Sequence, residues 1–528
     1  MRKLLGWVAA ATLAFGVAGA TAEAPKDTLV VGVTIDDIIS LDPAEIFEFS
    51  AAEVAGNSYD RLIGYDLKDV SKIHGIAVES WEVSDDGLTF TFEMRDGINF
   101  ASGNPMTAED AVFSLQRVVA LDKSPAFILT QFGFSKDNLQ ETIKQTGPMT
   151  FQLTVDKPYA PTFVLYCLTA TIGSVVDKKT VMSHEVDGDL GYNWLKTNYA
   201  GSGPFVIREW KANEAVVFER NENYWGKKPA MKRVIYRHIP EPATMRLLLE
   251  KGDIDIARKL GADQLASLES NDDIRIRSGV KGSIYYLGLN QKNPNLAKPQ
   301  VRQALKYLVD YDGMANSFLK GQSIKHQAFL PDGFLGAVTE TPFTLDVAKA
   351  KLLLAEAGLP DGFSVTMDTR NISPTTEMAQ SIQSTFAQAG VKLEIIPGDG
   401  KQTLTKYRAR NHDIYIGRWG PDYQDPHTNA DTFARNPDNS DDAEAKPLAW
   451  RNAWETPELG KMVDAAVLER DADKREKLYQ EIQKIHQQTS PFVIMFQDVE
   501  VLAERTNVEG FVIGPSFDDN RFTGVVKN

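Results

Sequence analysis

The stretch GRWGPDYQDPH, Gly417 to His427, crowds a tryptophan, a tyrosine, two aspartates and a histidine into eleven residues. Those residue types could serve three chemistries. Asp422 and Asp425 offer the two carboxylates that a glycosidase places on either side of a bond. His427, with His412 and Asp413 just upstream, offers metal ligands. Asp422 beside the flat ring of Trp419 offers a pocket for an ammonium group, because a cation taken out of water needs a charged acceptor and is attracted to an aromatic face. Two aspartates three residues apart in a proline-containing turn have no reason to be held at a catalytic separation. No H-x-x-x-H or clustered Cys/His spacing favours a metal, and no G-x-S-x-G, H-E-x-x-H or phosphate-cradling loop is present. GSGPF, Gly201 to Phe205, lacks the Lys-Ser/Thr of a phosphate loop.

The elements that position this cluster are legible nearby. FSVTMDTR, TEMAQSIQSTFAQAG, VKLEIIPG, QTLTKYRARN and DIYIGRW read as β-α-β-α-β, which predicts a mostly parallel, doubly wound sheet forming a distinct domain. Ligands of such sheets bind beyond the carboxyl ends of the strands, and DIYIGRW delivers the chain straight into GPDYQDPH. Upstream, LVVGVTI reads as a buried strand and LTFTFEMR as a strand with one buried face. Thr107 and Asp110 form a near capping box before AVFSLQRVV, and FVIREW and AVVFER make a hairpin. RVIYRHI and DIDIA read as strands, IYYLGLN as another, and EPATMRLLLEKG as a helix capped by Gly252. The acidic stretch NPDNSDDAEAKP lacks the spaced ligands and glycine of an EF-hand and reads as a solvated loop.

At 528 residues the chain exceeds one hydrophobic core, so two or three domains are expected. A formal charge of −15 without a Lys/Arg cluster excludes nucleic acid as a partner and leaves a weak bias toward cationic ligands. Arg2 and Lys3, the apolar run from Leu4 to about Ala20 and the small residues after it have the order of a secretory signal peptide cut after Ala22. No cysteine stands there to take a lipid, and Cys167, the only one, lies in an apolar run that suits a buried structural thiol.

Six segments in order resemble the family 5 bacterial extracellular solute-binding proteins, the peptide- and nickel-type receptors of ABC importers. They are AVESWEVSDDGLTFTFEMRDGINFASGNPMTAEDAVFSLQR, GSGPFVIREW with FERNENYWGKKP, GDIDIA, VRQALKYLVDYDGM, AKLLLAEAG and RWGPDYQDP. The resemblance spans nearly all of the chain beyond the leader. It implies an α/β, two-lobed type II periplasmic-binding-protein fold with an extra domain, three domains in all. The expected division is a signal peptide at 1–22, a lobe 1 core of 23–65, 191–281 and 491–528, an extra domain at 66–190, and lobe 2 at 282–490. FVIMFQDVEV would return to lobe 1, so that two strands cross between the lobes as a hinge.

The resemblance also implies a function. The protein would be a monomeric periplasmic receptor, free of a lipid anchor, that captures short peptides and delivers them to an ABC permease in the inner membrane, with no catalysis, cofactor or metal ligation of its own. In peptide-binding relatives the aspartate of a W-x-x-D arrangement pairs with the ligand's α-ammonium, and Trp419 to Asp422 reproduces it. A carboxylate-binding arginine sits in an R-x-x-x-P segment before a helix, and Arg370 to Pro374 matches, so Asp422 and Arg370 would read the two ends of a zwitterion. Trp419 would wall the pocket and Tyr423 would contribute a lesser contact. An opine, a sugar conjugate or a nickel chelate is the alternative solute within the fold, and a hydrolase using an acidic pair is the alternative of another class.

Overall fold

The computed structural model describes residues 25–443 and 445–528, the side chain of Lys401 excepted. The expected signal peptide lies outside the described residues.

Ten strands carry the argument: β1 (Thr28–Val33), β2 (Phe205–Lys211), β3 (Ala215–Arg220), β4 (Arg233–His238), β5 (Ile256–Arg258), β6 (Ile274–Leu289), β7 (Ser364–Arg370), β8 (Lys392–Gly398), β9 (Ile414–Trp419) and β10 (Phe492–Arg505). Among the described residues they belong to one eleven-stranded sheet in the order β8-β7-β9-β6-β10-β5-β1-β4-β3-β2, with Ser323–Lys325 paired to β10 off this path. The two-lobed α/β form follows from β6 and β10, sixteen and fourteen residues long, which run antiparallel through the middle of that sheet. The amino-terminal part of β6 lies beside the end of β10 that also pairs with β5, while its carboxyl-terminal part pairs with β9. Between Val280 and Ile284 the register shifts, leaving Lys281, Gly282 and Ser283 as an irregularity in the pairing.

The parallel sheet expected around the cluster is present as β8-β7-β9, with both pairings parallel. It is not a sheet of its own, however, since β9 continues antiparallel into β6. Alternation along the strands explains why both faces are covered. In β6, Tyr285, Leu287 and Leu289 enter one core and Ile284 and Tyr286 the other. In β9, Ile414 and Ile416 join the first and Tyr415 the second.

Nine helices are used below: α1 (Phe49–Ser58), α2 (Ala108–Leu121), α3 (Pro161–Cys167), α4 (Thr375–Gln388), α5 (Gly400–Arg408), α6 (His427–Ala434), α7 (Leu448–Arg451), α8 (Pro457–Leu468) and α9 (Ala472–Thr489). The capping box of α2 forms, with Asp110 accepting from the Thr107 N–H at 2.9 Å. A separate antiparallel sheet orders Val78–Val83, Thr89–Met94, Thr150–Thr154 and Ile143–Gln145. Phe90, Phe92, Phe151 and Leu153 alternate into a core shared with α2 and α3, which also holds the fully buried Cys167. That core takes in Tyr423 and Val467 from far along the chain, and the Ala160 N–H donates to the Val467 carbonyl at 3.2 Å. No helix among the described residues is long and apolar enough to cross a membrane.

Candidate functional site

β9 ends at Trp419, and the chain turns through Gly420 and Pro421 before α6. A side chain at Gly420 would meet the Phe49 ring at 3.0 Å and Phe517 at 3.4 Å, so glycine is what lets this loop approach those two rings. Phe49, at the start of α1, stacks on Phe517 with centroids 4.5 Å apart. Arg418 lies over Phe49 at 5.2 Å and donates to Asp498 of β10. A loop from one end of the sheet is thereby seated on an aromatic pair from the other.

Trp419 is partly exposed, and its indole N–H donates to Asn429 Oδ1 at 2.9 Å while the ring stands edge-on to Phe433 at 6.1 Å. The hydrogen bond to α6 fixes the ring's orientation. Asp422 is also partly exposed. Its backbone N–H donates to Thr428 Oγ1 at 3.1 Å, but its carboxylate has no hydrogen bond and no ion pair among the described residues. Burial pushes this carboxyl up to about 7, opposed by the charge of Arg451. A desolvated acid with no protein partner is the kind of group found where a ligand is expected to supply one.

Tyr423 is 5% exposed, with its ring 5.8 Å from Phe163 of α3 and its phenol raised by burial. It joins the loop to the α2–α3 core. Arg370 sits exposed at the carboxyl end of β7, its guanidinium 3.0 Å from where a Cβ of Gly400 would lie, at the first turn of α5. It has no acidic partner among the described residues.

The remaining candidates of the stretch are occupied. Asp425 is fully buried, and both its oxygens receive hydrogen bonds from Arg475 of α9 at 2.7 Å; the same guanidinium reaches Thr162 of α3 at 3.4 Å. An acid clamped in this way is unavailable as the second member of a hydrolytic pair. His412 meets Asn452 Oδ1 at 3.1 Å, and burial drives its imidazole down to about 4. His427 packs edge-on to Phe163 at 4.9 Å. Among the described residues no group of three or more His, Cys, Asp or Glu could hold a metal ion.

A cavity of about 790 Å³ lies elsewhere, lined by Tyr65, Arg61, Arg277, Asp519 and Arg521 among others and by none of the four candidates. Its buried charges are already matched, Arg61 with Asp518 and Arg521 with Asp519. It therefore presents little that awaits a ligand, and the unpartnered carboxylate of Asp422 has the better chemistry.

Residues that sequence reasoning did not single out are Phe49, Phe517 and Arg451. Phe49 opens α1, sixteen residues beyond the end of β1, and no local pattern marks it as part of the site. Arg451 carries no such signal either, because α7 reaches the site only through the fold.

The profile of the bacterial extracellular solute-binding proteins, family 5, matches residues 72–441. A protein of Escherichia coli (strain K12) named "Probable D,D-dipeptide-binding periplasmic protein DdpA" is 31% identical over 506 residues, 94% of each chain. The chain belongs to the family 5 bacterial extracellular solute-binding proteins. The glutathione-binding protein GsiB of Salmonella paratyphi A is 26% identical over 97% of this chain and 98% of its own. The periplasmic binding protein DppA of Helicobacter pylori, solved with the peptide STSA, superposes with a TM-score of 0.81 over 95% of this chain and 98% of that one, at 24% identity. The two-lobed fold of this family member is thus common to its solved relatives.

Proposed function

We propose that this protein is the periplasmic substrate-binding component of an ABC importer, which closes on a short peptide or peptide-like zwitterion and presents it to an inner-membrane permease. The observation that carries the reading is the Asp422 carboxylate, partly buried, without a hydrogen bond or ion pair among the described residues and three residues beyond Trp419 at the carboxyl end of β9. An α-ammonium group would give it the charge and the hydrogen bonds it lacks, and in a closed cleft that pair is stronger than at a surface. Arg370 would take the terminal carboxylate, which a guanidinium meets with two parallel bonds. Tyr423 acts by seating the loop against α3. Relatives named for dipeptide and glutathione binding support a peptide-like solute.

In this reading residues 23–65, 191–281 and 491–528 form lobe 1 with the 66–190 domain appended, and 282–490 form lobe 2. The stretch Lys281 to Ser283 and the facing part of β10 are the hinge. The chain is exported through its leader, works as a monomer and performs no chemistry on its solute. The locked Asp425 weighs against the hydrolase alternative.

Native mass spectrometry of protein purified from a peptide-rich lysate tests this. A copurifying zwitterionic peptide, absent from Asp422→Ala, is the expected result. Turnover of that peptide, or its retention by Asp422→Ala, overturns the assignment.

A further inference from the structure

The face of the β8-β7-β9 sheet that carries Tyr415 holds more positive charge than the proposed zwitterion can use. Tyr415 stacks on Tyr407 of α5 with centroids 4.0 Å apart, and Arg451 of α7 lies over the Tyr407 ring at 5.6 Å. Arg408 is the next residue of α5. Asp368, the register neighbour of Tyr415 on β7, lies two residues before Arg370, so both point to the same side of the strand. The charges of Arg370, Arg451 and Arg408, from three segments, all reach the Tyr415 phenol, and Lys406 precedes Tyr407 on α5.

Few acids answer them. Asp368 pairs with Lys406 at 2.7 Å, and Asp413 is held by Asn293 and Thr366. Asp422 feels the charge of Arg451 but is not bonded to it. Arg408 makes no hydrogen bond or ion pair among the described residues, and Arg451 gives only its Nε–H, to the Lys446 carbonyl at 3.2 Å. Arg408 is exposed and Arg451 half-buried, and partial burial together with the charge of Arg451 lowers Arg408 below the usual arginine range. Like charges held together without a counter-ion are relieved when an anion arrives.

We propose that Arg451 and Arg408, beside the Tyr407–Tyr415 stack, form a second anion subsite, so that the preferred solute is a peptide-like zwitterion with one ammonium and two carboxylates. This rests on the reading of Asp422 and Arg370 given above. With the terminal carboxylate on Arg370, closing over a neutral side chain would leave both remaining guanidinium groups desolvated and unpaired, whereas an acidic side chain neutralises them. Charge complementarity of this kind selects among solutes rather than merely adding affinity.

Isothermal titration with isosteric pairs tests it: Ala-Glu against Ala-Gln, Ala-Asp against Ala-Asn, and Glu-Ala against Gln-Ala, at low salt. Wild type is expected to bind the acidic member of at least one pair about tenfold or more tightly, a difference of about 1.4 kcal/mol. The double variant Arg408→Gln with Arg451→Gln is expected to lose that preference, binding the acidic and amide members of each pair within about threefold of each other. Neither arginine is paired in the interior, so circular dichroism should show both proteins folded. Amide members bound as well as acidic ones, or a preference that survives the double variant, overturns the subsite and leaves the zwitterion reading intact. Binding of none of the six peptides overturns that reading and this one with it.

Discussion

An aspartate that titrates near neutrality without a partner makes the free protein sensitive to pH in a calculable direction. Asp422 is raised from the usual 3.8 to about 7, so the folded state holds the proton more tightly than the unfolded chain does. Its contribution to stability is largest below the unfolded value and is lost as pH rises through the folded one. Thermal unfolding of ligand-free Asp422→Asn should therefore match wild type near pH 4 and exceed it at pH 8. Peptide affinity of wild type should move the opposite way, strengthening up to about tenfold per unit between pH 5 and 7, then falling again above about pH 8 as the peptide's ammonium loses its proton. A flat affinity profile over that range would remove Asp422 from the ammonium contact. The W-x-x-D spacing made this residue legible in the sequence, but only through resemblance. Its lack of a partner was not legible, nor was the packing of Tyr423 on Phe163, because each depends on segments remote in sequence.

At the scale of elements, local pattern and fold agree where apolar residues alternate or run together along a strand and disagree where charge interrupts them. β7, β8 and β9 were legible because their alternation continues to the strand ends. β6 looked like a short strand, IYYLGLN, since its first half, IRIRSGVKG, reads as polar. That half is a strand because Arg275 and Arg277 both reach Glu504 of β10, at 2.6 and 3.2 Å, which places their charges on a partner's carboxylate. The parallel sheet expected around the cluster is present, and the antiparallel β6 and β10 join it to the rest. The Gly420 turn has a consequence at this scale. Gly420→Val would set a branched side chain into Phe49 and Phe517 and hold the loop off them. Ligand-free stability should stay within about 0.5 kcal/mol, as the loop can move outward, while peptide affinity falls about tenfold or more. Equal affinity would mean that the loop need not seat on the aromatic pair when the lobes close.

In the two-lobed molecule β6 and β10 lose register at Lys281 to Ser283, the stretch proposed above as the hinge. Around that crossing lies a buried network in which Glu500 of β10 accepts from Arg258 and Lys281 and is held well ionised by them, and in which Arg258 also reaches Glu53 of α1. Removing one partner of such a buried pair costs about 3–5 kcal/mol. Closure then has to be driven by what the solute offers to both lobes, and the ammonium of a peptide is the group on which the account depends. The most direct test is calorimetric titration of one peptide that the protein binds, with its amino terminus free and with it N-acetylated, against wild type and Asp422→Asn. The account predicts that acetylation weakens binding to wild type by about a hundredfold or more and makes little difference to the variant. An acetylated peptide bound by wild type as tightly as the free one would contradict it.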